Sequence, residues 1–278
     1  MEFFEFYRKD RWPHQFCPGC GLGTIMNGLY KAFNDLKMDI NKTVFVSGIG
    51  CTGRVPGYIN ADSVHTTHGR PIAFAMGIKL ARPDLNVVVI SGDGDLFAIG
   101  GNHIIHAARR NIDIKVIAVN NATYGLTGGQ LAPTTPHNMV TTTSPYGNKE
   151  HPFALAELVA AAGANYVARW TTAHPNQLVN SIKTALRTPG FTFVEVVSQC
   201  PVNFGRRNKM GDPVYHLRWI KEHSIPVSKV TFDVKSPFDF MDINFKGIYT
   251  IGEFVKRDRP PYGKSVEYEN NVLRPPKE

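Results

Sequence analysis

Residues 86–110 read NVVVISGDGDLFAIGGNHIIHAARR. A short β-branched run enters a glycine-bearing turn, and the turn opens into a helical pattern. A strand–turn–helix of this kind offers backbone N–H groups at a helix start, a ready cradle for phosphate. The dinucleotide fingerprint requires glycine or alanine three residues after its second glycine. Counted from Gly92 and Gly94, that place holds Phe97. Two carboxylates, Asp93 and Asp95, stand where bare backbone would meet a pyrophosphate. Carboxylates repel phosphate unless a cation lies between them, so the turn reads as half of a metal-bridged diphosphate site.

The same alternation extends along the chain. Strands are predicted at 43–47, 86–91, 114–120 and 191–197, and helices at 23–36, 71–81, 100–110, 152–163 and 176–187. This order implies an α/β fold, a mainly parallel sheet flanked by helices on both faces. A chain of 278 residues can bury roughly 75% of its unfolded surface. We read 1–225 as one catalytic domain, and 226–278 as a polar C-terminal extension that is not an independent domain. Residues 124–150 show no periodicity, and loops of that length tend to be functional. Cys51, Asp93, the pair Asn120-Asn121 and Cys200 each follow the carboxyl end of a predicted strand, the edge where parallel sheets bind ligands.

Composition narrows the partners. Hydrophobic residues make up 42% of the chain, and no apolar run approaches the ~20 residues of a membrane span. The first residues carry acids and no small-residue cleavage site, so a cytoplasmic protein is expected. The net charge of +8 attracts acidic partners. Its basic residues are scattered, with short clusters at 206–209 and 256–259 and no nucleic-acid motif, so a small acidic protein is the expected partner rather than nucleic acid.

Twenty-five residues separate Gly94 from Asn120-Asn121. GDG followed at this spacing by NN resembles the signature of thiamine diphosphate (ThDP) enzymes. Its logic is that Mg²⁺ takes six hard oxygen ligands and shares them with phosphates. Asp93 supplies charge, Asn121 a neutral oxygen, and by resemblance the carbonyl of Thr123 a third ligand. Gly92 and Gly94 allow close backbone approach, and amides near Asp95 favour negative charge. Tyr124, Gly125, Leu126, Thr127 and Gln130 head the long loop and are expected to close over the diphosphate.

Four cysteines remain: Cys17 and Cys20 in FCPGCG, Cys51 in GIGCTGR and Cys200 in QCPVNF. Structural disulfides are not expected in a cytoplasmic chain. CPGC lacks the preceding strand of a thioredoxin-type pair. The CxxC plus two single cysteines at neighbouring strand ends give four thiolates, enough for one centre, either zinc or a [4Fe–4S] cluster, and spacing alone does not separate the two.

With both sites read, the chain resembles the β subunit of a 2-oxoacid:ferredoxin oxidoreductase over residues 13–225. The matching motifs are CPGCG (17–21), GIGCTGR (48–54), HTTHGRP (65–71), GIKLARPDLNVVVISGDGD (77–95), IGGNHIIHAARRN (99–111), NNATYGLTGGQLAPTT (120–135) and QCPVNFG (199–205). The YGLTGGQ form is closer to the 2-oxoglutarate branch than to the pyruvate branch. The resemblance implies a ThDP-binding fold and one [4Fe–4S] cluster on Cys17, Cys20, Cys51 and Cys200. It also implies oxidative decarboxylation of a 2-oxo acid with coenzyme A, electrons leaving to ferredoxin, and an (αβ)₂ assembly. The glutamate that activates the aminopyrimidine comes from the α subunit in that family, so this chain is expected to be inactive alone. Arg54 is the candidate for holding the substrate carboxylate, and His65 and His68 are candidates for orienting substrate or cofactor. Two other readings stand beside this one: a non-redox ThDP lyase with a zinc site, and a non-enzymatic metal or redox scaffold.

Overall fold

Apolar runs such as VFVS and VVVIS are buried from both sides, which is the condition for a parallel sheet. In the computed structural model, residues 1–230 and 247–263 are described, together with the backbone of 267–269 and 272–274. The strands are β1 (Thr43–Ser47), β2 (Asp62–His65), β3 (Asn86–Gly92), β4 (Lys115–Asn120), β5 (Thr123–Tyr124), β6 (Gln130–Leu131), β7 (Tyr166–Thr171), β8 (Thr192–Val197), β9 (Ser224–Pro226) and β10 (Tyr249–Lys256). Eight of them form one sheet in the order β2-β1-β3-β4-β8-β7-β10-β9. The first six strands in that order run parallel, and β10 adds antiparallel to β7. The pair β5–β6 is a separate two-stranded hairpin.

The helices are α1 (Phe3–Phe6), α2 (Leu22–Leu36), α3 (Pro71–Ala81), α4 (Gly101–Arg109), α5 (Leu155–Ala162), α6 (Pro175–Arg187) and α7 (Pro213–Glu222). Successive strand residues point to opposite faces, and the core divides accordingly. Val88 and Ile90 of β3 pack with α2 and α6, whereas Val87 and Val89 pack with α3, α4 and α5. Helices therefore cover both faces, as the sequence implies. No helix among the described residues is long and apolar enough to cross a membrane.

The predicted strands and helices recur within a few residues, and further elements accompany them. Strand β7 (YVARWT) holds an arginine and β10 (YTIGEFVK) a glycine and two charges, which break the apolar run. Strand β2 is a mostly exposed edge. Helix α7 does carry a sequence signal, since Asp212 caps its start by accepting from Tyr215 N–H and Pro213 follows at the first position. Strand β10 and the last residue of β9 come from the segment expected as an extension; residues 231–246, 264–266, 270–271 and 275–278 lie outside the described residues.

Candidate active site and cysteine centre

The chain leaves β1 through a short 3₁₀ turn, Thr52–Tyr58, whose Val55 and Tyr58 pack on the α2/α6 face. It leaves the neighbouring β3 toward α4, on the other face. Adjacent parallel strands whose exits diverge open a crevice at their carboxyl ends, and ligands bind there. That crevice holds a cavity of about 220 Å³ lined by Gly92, Asp93, Gly94, Asp95, Asn121, Thr123, Tyr124, Gly125, Leu126 and Thr127, with Cys51, Thr52 and His68. Every residue expected to hold the cofactor, Gln130 excepted, lines this one space.

Within it Asp93 is buried, and burial pushes its carboxyl up to about 6. Its side-chain partner is the Thr134 hydroxyl, which donates to Oδ2. Backbone N–H groups of Asp93 and Gly94 also favour its charged form, yet burial outweighs all three hydrogen bonds, so a cation shared with a diphosphate would suit it. Asn121 lines the same cavity, and its Oδ1 accepts from Thr123 N–H at 3.3 Å. The donor set fits a hard divalent cation.

Three expectations change in detail. Asp95 lines the cavity, yet its carboxylate is taken up internally. It accepts from Ser91 Oγ (2.7 Å), Gly69 N (2.8 Å) and Ile49 N (3.1 Å), and contacts His68 Nδ1 at 2.6 Å. It clamps the loops after β1 and before α3 to the end of β3, and holds the His68 ring at the cavity wall. Gly94 is demanded by a side chain of the protein itself, since an added Cβ would lie 2.3 Å from Tyr124 Cε1. Gln130 pairs through Oε1 with the Thr127 hydroxyl (2.8 Å) and closes the β5–β6 hairpin. Thr134 was not singled out from sequence; it sits deep in the 124–150 loop, and no spacing rule links it to Asp93.

The four cysteines surround a second cavity of about 390 Å³, which also touches Phe16, Arg54, Asn121, Gly125, Leu126 and Asn203. A Cβ built on Gly125 would stand 3.6 Å from Cys200 Sγ and 3.7 Å from Cys51 Sγ, so this glycine lies between two sulfurs. Gln199 ties the CPGC loop to the end of β8, since its Nε2 donates to Gly19 O (3.1 Å) and its backbone O accepts from Gly21 N (3.3 Å). Burial pushes the Cys20 thiol up to about 12 and Cys51 to about 11, and raises Cys200 as well, with the neighbouring thiols adding to the rise. Thiolates here therefore need a positively charged centre. Among the described residues no three Cys, His, Asp or Glu side chains are grouped to hold a single ion. The four cysteines line one space, and such a donor set suits zinc or an iron–sulfur cluster. The two cavities share Cys51, Asn121, Gly125 and Leu126 as walls.

The histidines of HTTHGRP part company. His68 faces the diphosphate cavity. His65, at the exposed end of β2, contacts Ser47 Oγ through Nδ1 (3.0 Å) and lines a third cavity of about 470 Å³. Arg8, Arg11 and Arg54 line that space with no acid among its walls. Arg54 borders both this basic cavity and the cysteine cavity, and a carboxylate could be held there.

Residues 48–196 match the family described as thiamine pyrophosphate enzyme, C-terminal TPP binding domain. The chain is 54% identical to 2-oxoglutarate synthase subunit KorB of Methanothermobacter marburgensis, over 93% of this chain and 88% of that one. It is 52% identical to subunit KorB of Methanocaldococcus jannaschii, over 93% of each. Among solved structures, a 2-oxoglutarate:ferredoxin oxidoreductase from Magnetococcus marinus, with 2-oxoglutarate, coenzyme A and succinyl-CoA bound, superposes with a TM-score of 0.80. That pair shares 34% identity, over 94% of this chain and 87% of that one.

Proposed function

This chain belongs to the family of 2-oxoglutarate synthase and 2-oxoacid:ferredoxin oxidoreductase β subunits, and from that premise we propose that it converts 2-oxoglutarate and coenzyme A reversibly to succinyl-CoA and CO₂ with an α partner. In this reading Mg²⁺ and ThDP occupy the cavity beneath Asp93, Asn121 and Thr123. A [4Fe–4S] cluster sits on Cys17, Cys20, Cys51 and Cys200, and an acidic ferredoxin collects the electrons at the basic surface. Once bound, ThDP supplies the electron sink that lets CO₂ leave, and the cluster supplies one-electron steps.

The protein's own share is positioning. Asp93 and the Asn121 oxygen hold the cation that neutralises the diphosphate. His68, fixed by Asp95, places its ring at the cavity wall, where it would hold or move a proton once the cofactor is bound. Arg54, between the cysteine cavity and the basic cavity, takes the substrate carboxylate. His65 orients substrate from the basic cavity rather than from the cofactor side. The observation that carries this reading is the wall common to the two cavities, because electron transfer out of the cofactor needs the centres adjacent. Membership of an enzyme family removes the non-enzymatic scaffold.

The test is anaerobic purification of the α–β complex with assay of iron and acid-labile sulfide. About four of each per β chain are expected, with ferredoxin reduced only when 2-oxoglutarate and coenzyme A are both present. Zinc without sulfide would remove the electron path and leave a non-redox ThDP enzyme.

A further inference from the structure

A glutamate in the middle of a fully buried strand, FTFVEVV, is out of place unless it is paired. Glu195 of β8 is 1% exposed. Its Oε2 accepts from Arg169 Nε (2.7 Å), its register neighbour on β7, and its Oε1 accepts from Asn120 Nδ2 (2.8 Å). The guanidinium's other donors go to Glu157 Oε1 (3.1 Å) and Oε2 (2.5 Å) and to Thr250 Oγ1 (2.7 Å). Replacing such ion triads by apolar residues of similar volume is often neutral or stabilising, so stability is a poor reason for this one.

We propose that Glu195 and Asn120 are positioning residues that set the loop presenting Asn121 and Thr123 to the cation and diphosphate. The proposal rests on the reading of that site given above. An asparagine amide can sit in either of two orientations. Glu195, an acceptor on both oxygens, admits only the one with Nδ2 toward it. Asn120 Oδ1 then faces away and accepts from Ala122 N–H (3.2 Å). Ala122 holds φ at 60°, the left-handed region that costs a non-glycine residue, and Thr135 Oγ1 secures its carbonyl at 2.7 Å. This one left-handed residue lies between Asn121 and Thr123, both of which line the cavity. The Glu195 carboxylate also adds some negative charge toward Asp93. The first asparagine of the NN pair thus acts through the turn, and the second through its own oxygen.

The experiment measures the Mg²⁺ concentration that half-saturates ThDP retention on the purified α–β complex, alongside its melting temperature. Glu195→Gln gives the side chain one acceptor and one donor, so either Arg169 or Asn120 faces a donor. We expect half-saturation to rise about tenfold, in line with partners lying behind metal ligands. Asn120→Ala leaves Arg169, Glu157 and Glu195 paired and is expected to do the same with little change in melting. The double variant should be no worse than either single one, because both break one link. Wild-type half-saturation in Asn120→Ala, or fold-changes that multiply in the double variant, would overturn the proposal. If Glu195→Gln does not assemble, Asn120→Ala decides alone. Asp93→Ala in the same assay separates the two levels. If it retains ThDP normally, the site itself is misread; if it loses ThDP while the other variants do not, only the positioning role falls.

Discussion

Replacing Asp93 by asparagine should strengthen the cofactor-free protein while destroying its cofactor site, and the two effects should part with pH. Asp93 is 2% exposed, and burial lifts its carboxyl from the ordinary 3.8 to about 6. Lifting it that far makes its ionised form roughly 3 kcal/mol less favourable in the folded than in the unfolded chain. Well below pH 3.8 both states hold the proton and nothing is lost. Between pH 4 and 6 the unfolded chain ionises first, so stability falls as pH rises, and above 6 the full penalty is present. The amide introduced by Asp93→Asn accepts from the Thr134 hydroxyl as the acid does and never ionises. Thermal unfolding of the cofactor-free α–β complex at pH 8 should therefore shift upward by several degrees in Asp93→Asn, at roughly 2–4 °C per kcal/mol. At pH 4.5 the shift should fall to about a third of that, and Mg²⁺-dependent ThDP binding should be lost at both. A destabilised variant at pH 8, or equal stabilisation at both pH values, would refute a buried carboxylate awaiting a cation.

Other variants probe the same frame. Gly94→Ala should displace the Tyr124 ring and weaken ThDP retention at least tenfold with little backbone strain, since φ at 94 is −64°; unchanged retention would show that the ring moves freely. Arg169→Met strands the buried Glu195 beside Glu157 and should cost about 3–5 kcal/mol, read by denaturant unfolding. Burial pulls His216 down to about 4, so it opposes folding as pH falls from about 6.5 through 4; His216→Phe should flatten that part of the acid-stability profile. Cys200→Ser should abolish visible absorbance yet spare ThDP retention, and loss of both would mean the two cavities are not independent.

GDG, NN and CPGC could be read without coordinates because each is a local demand. A turn needs glycine, a cation needs a carboxylate beside a neutral oxygen, and thiols at strand ends must go somewhere. The central strands were legible for a similar reason, since burial on both faces demands continuous apolar residues. What failed to show were elements whose polar residues are satisfied by partners distant in sequence. Arg169 and Glu195 look like faults in their strands until register sets them side by side. Thr134 reads as one loop threonine among several until the loop folds back on Asp93. His65 and His68 share a motif and a spacing of three, yet β2 ends at His65, and one lines the basic cavity and the other the cavity of Asp93. Asp95 reads as a cofactor contact, and four internal contacts occupy its carboxylate. The sequence by itself determined which chemistry this chain carries, because ligand type is a property of single side chains. Only the tertiary structure decided which of those side chains are free to act, because a hydrogen bond made inside the protein removes that group from the site.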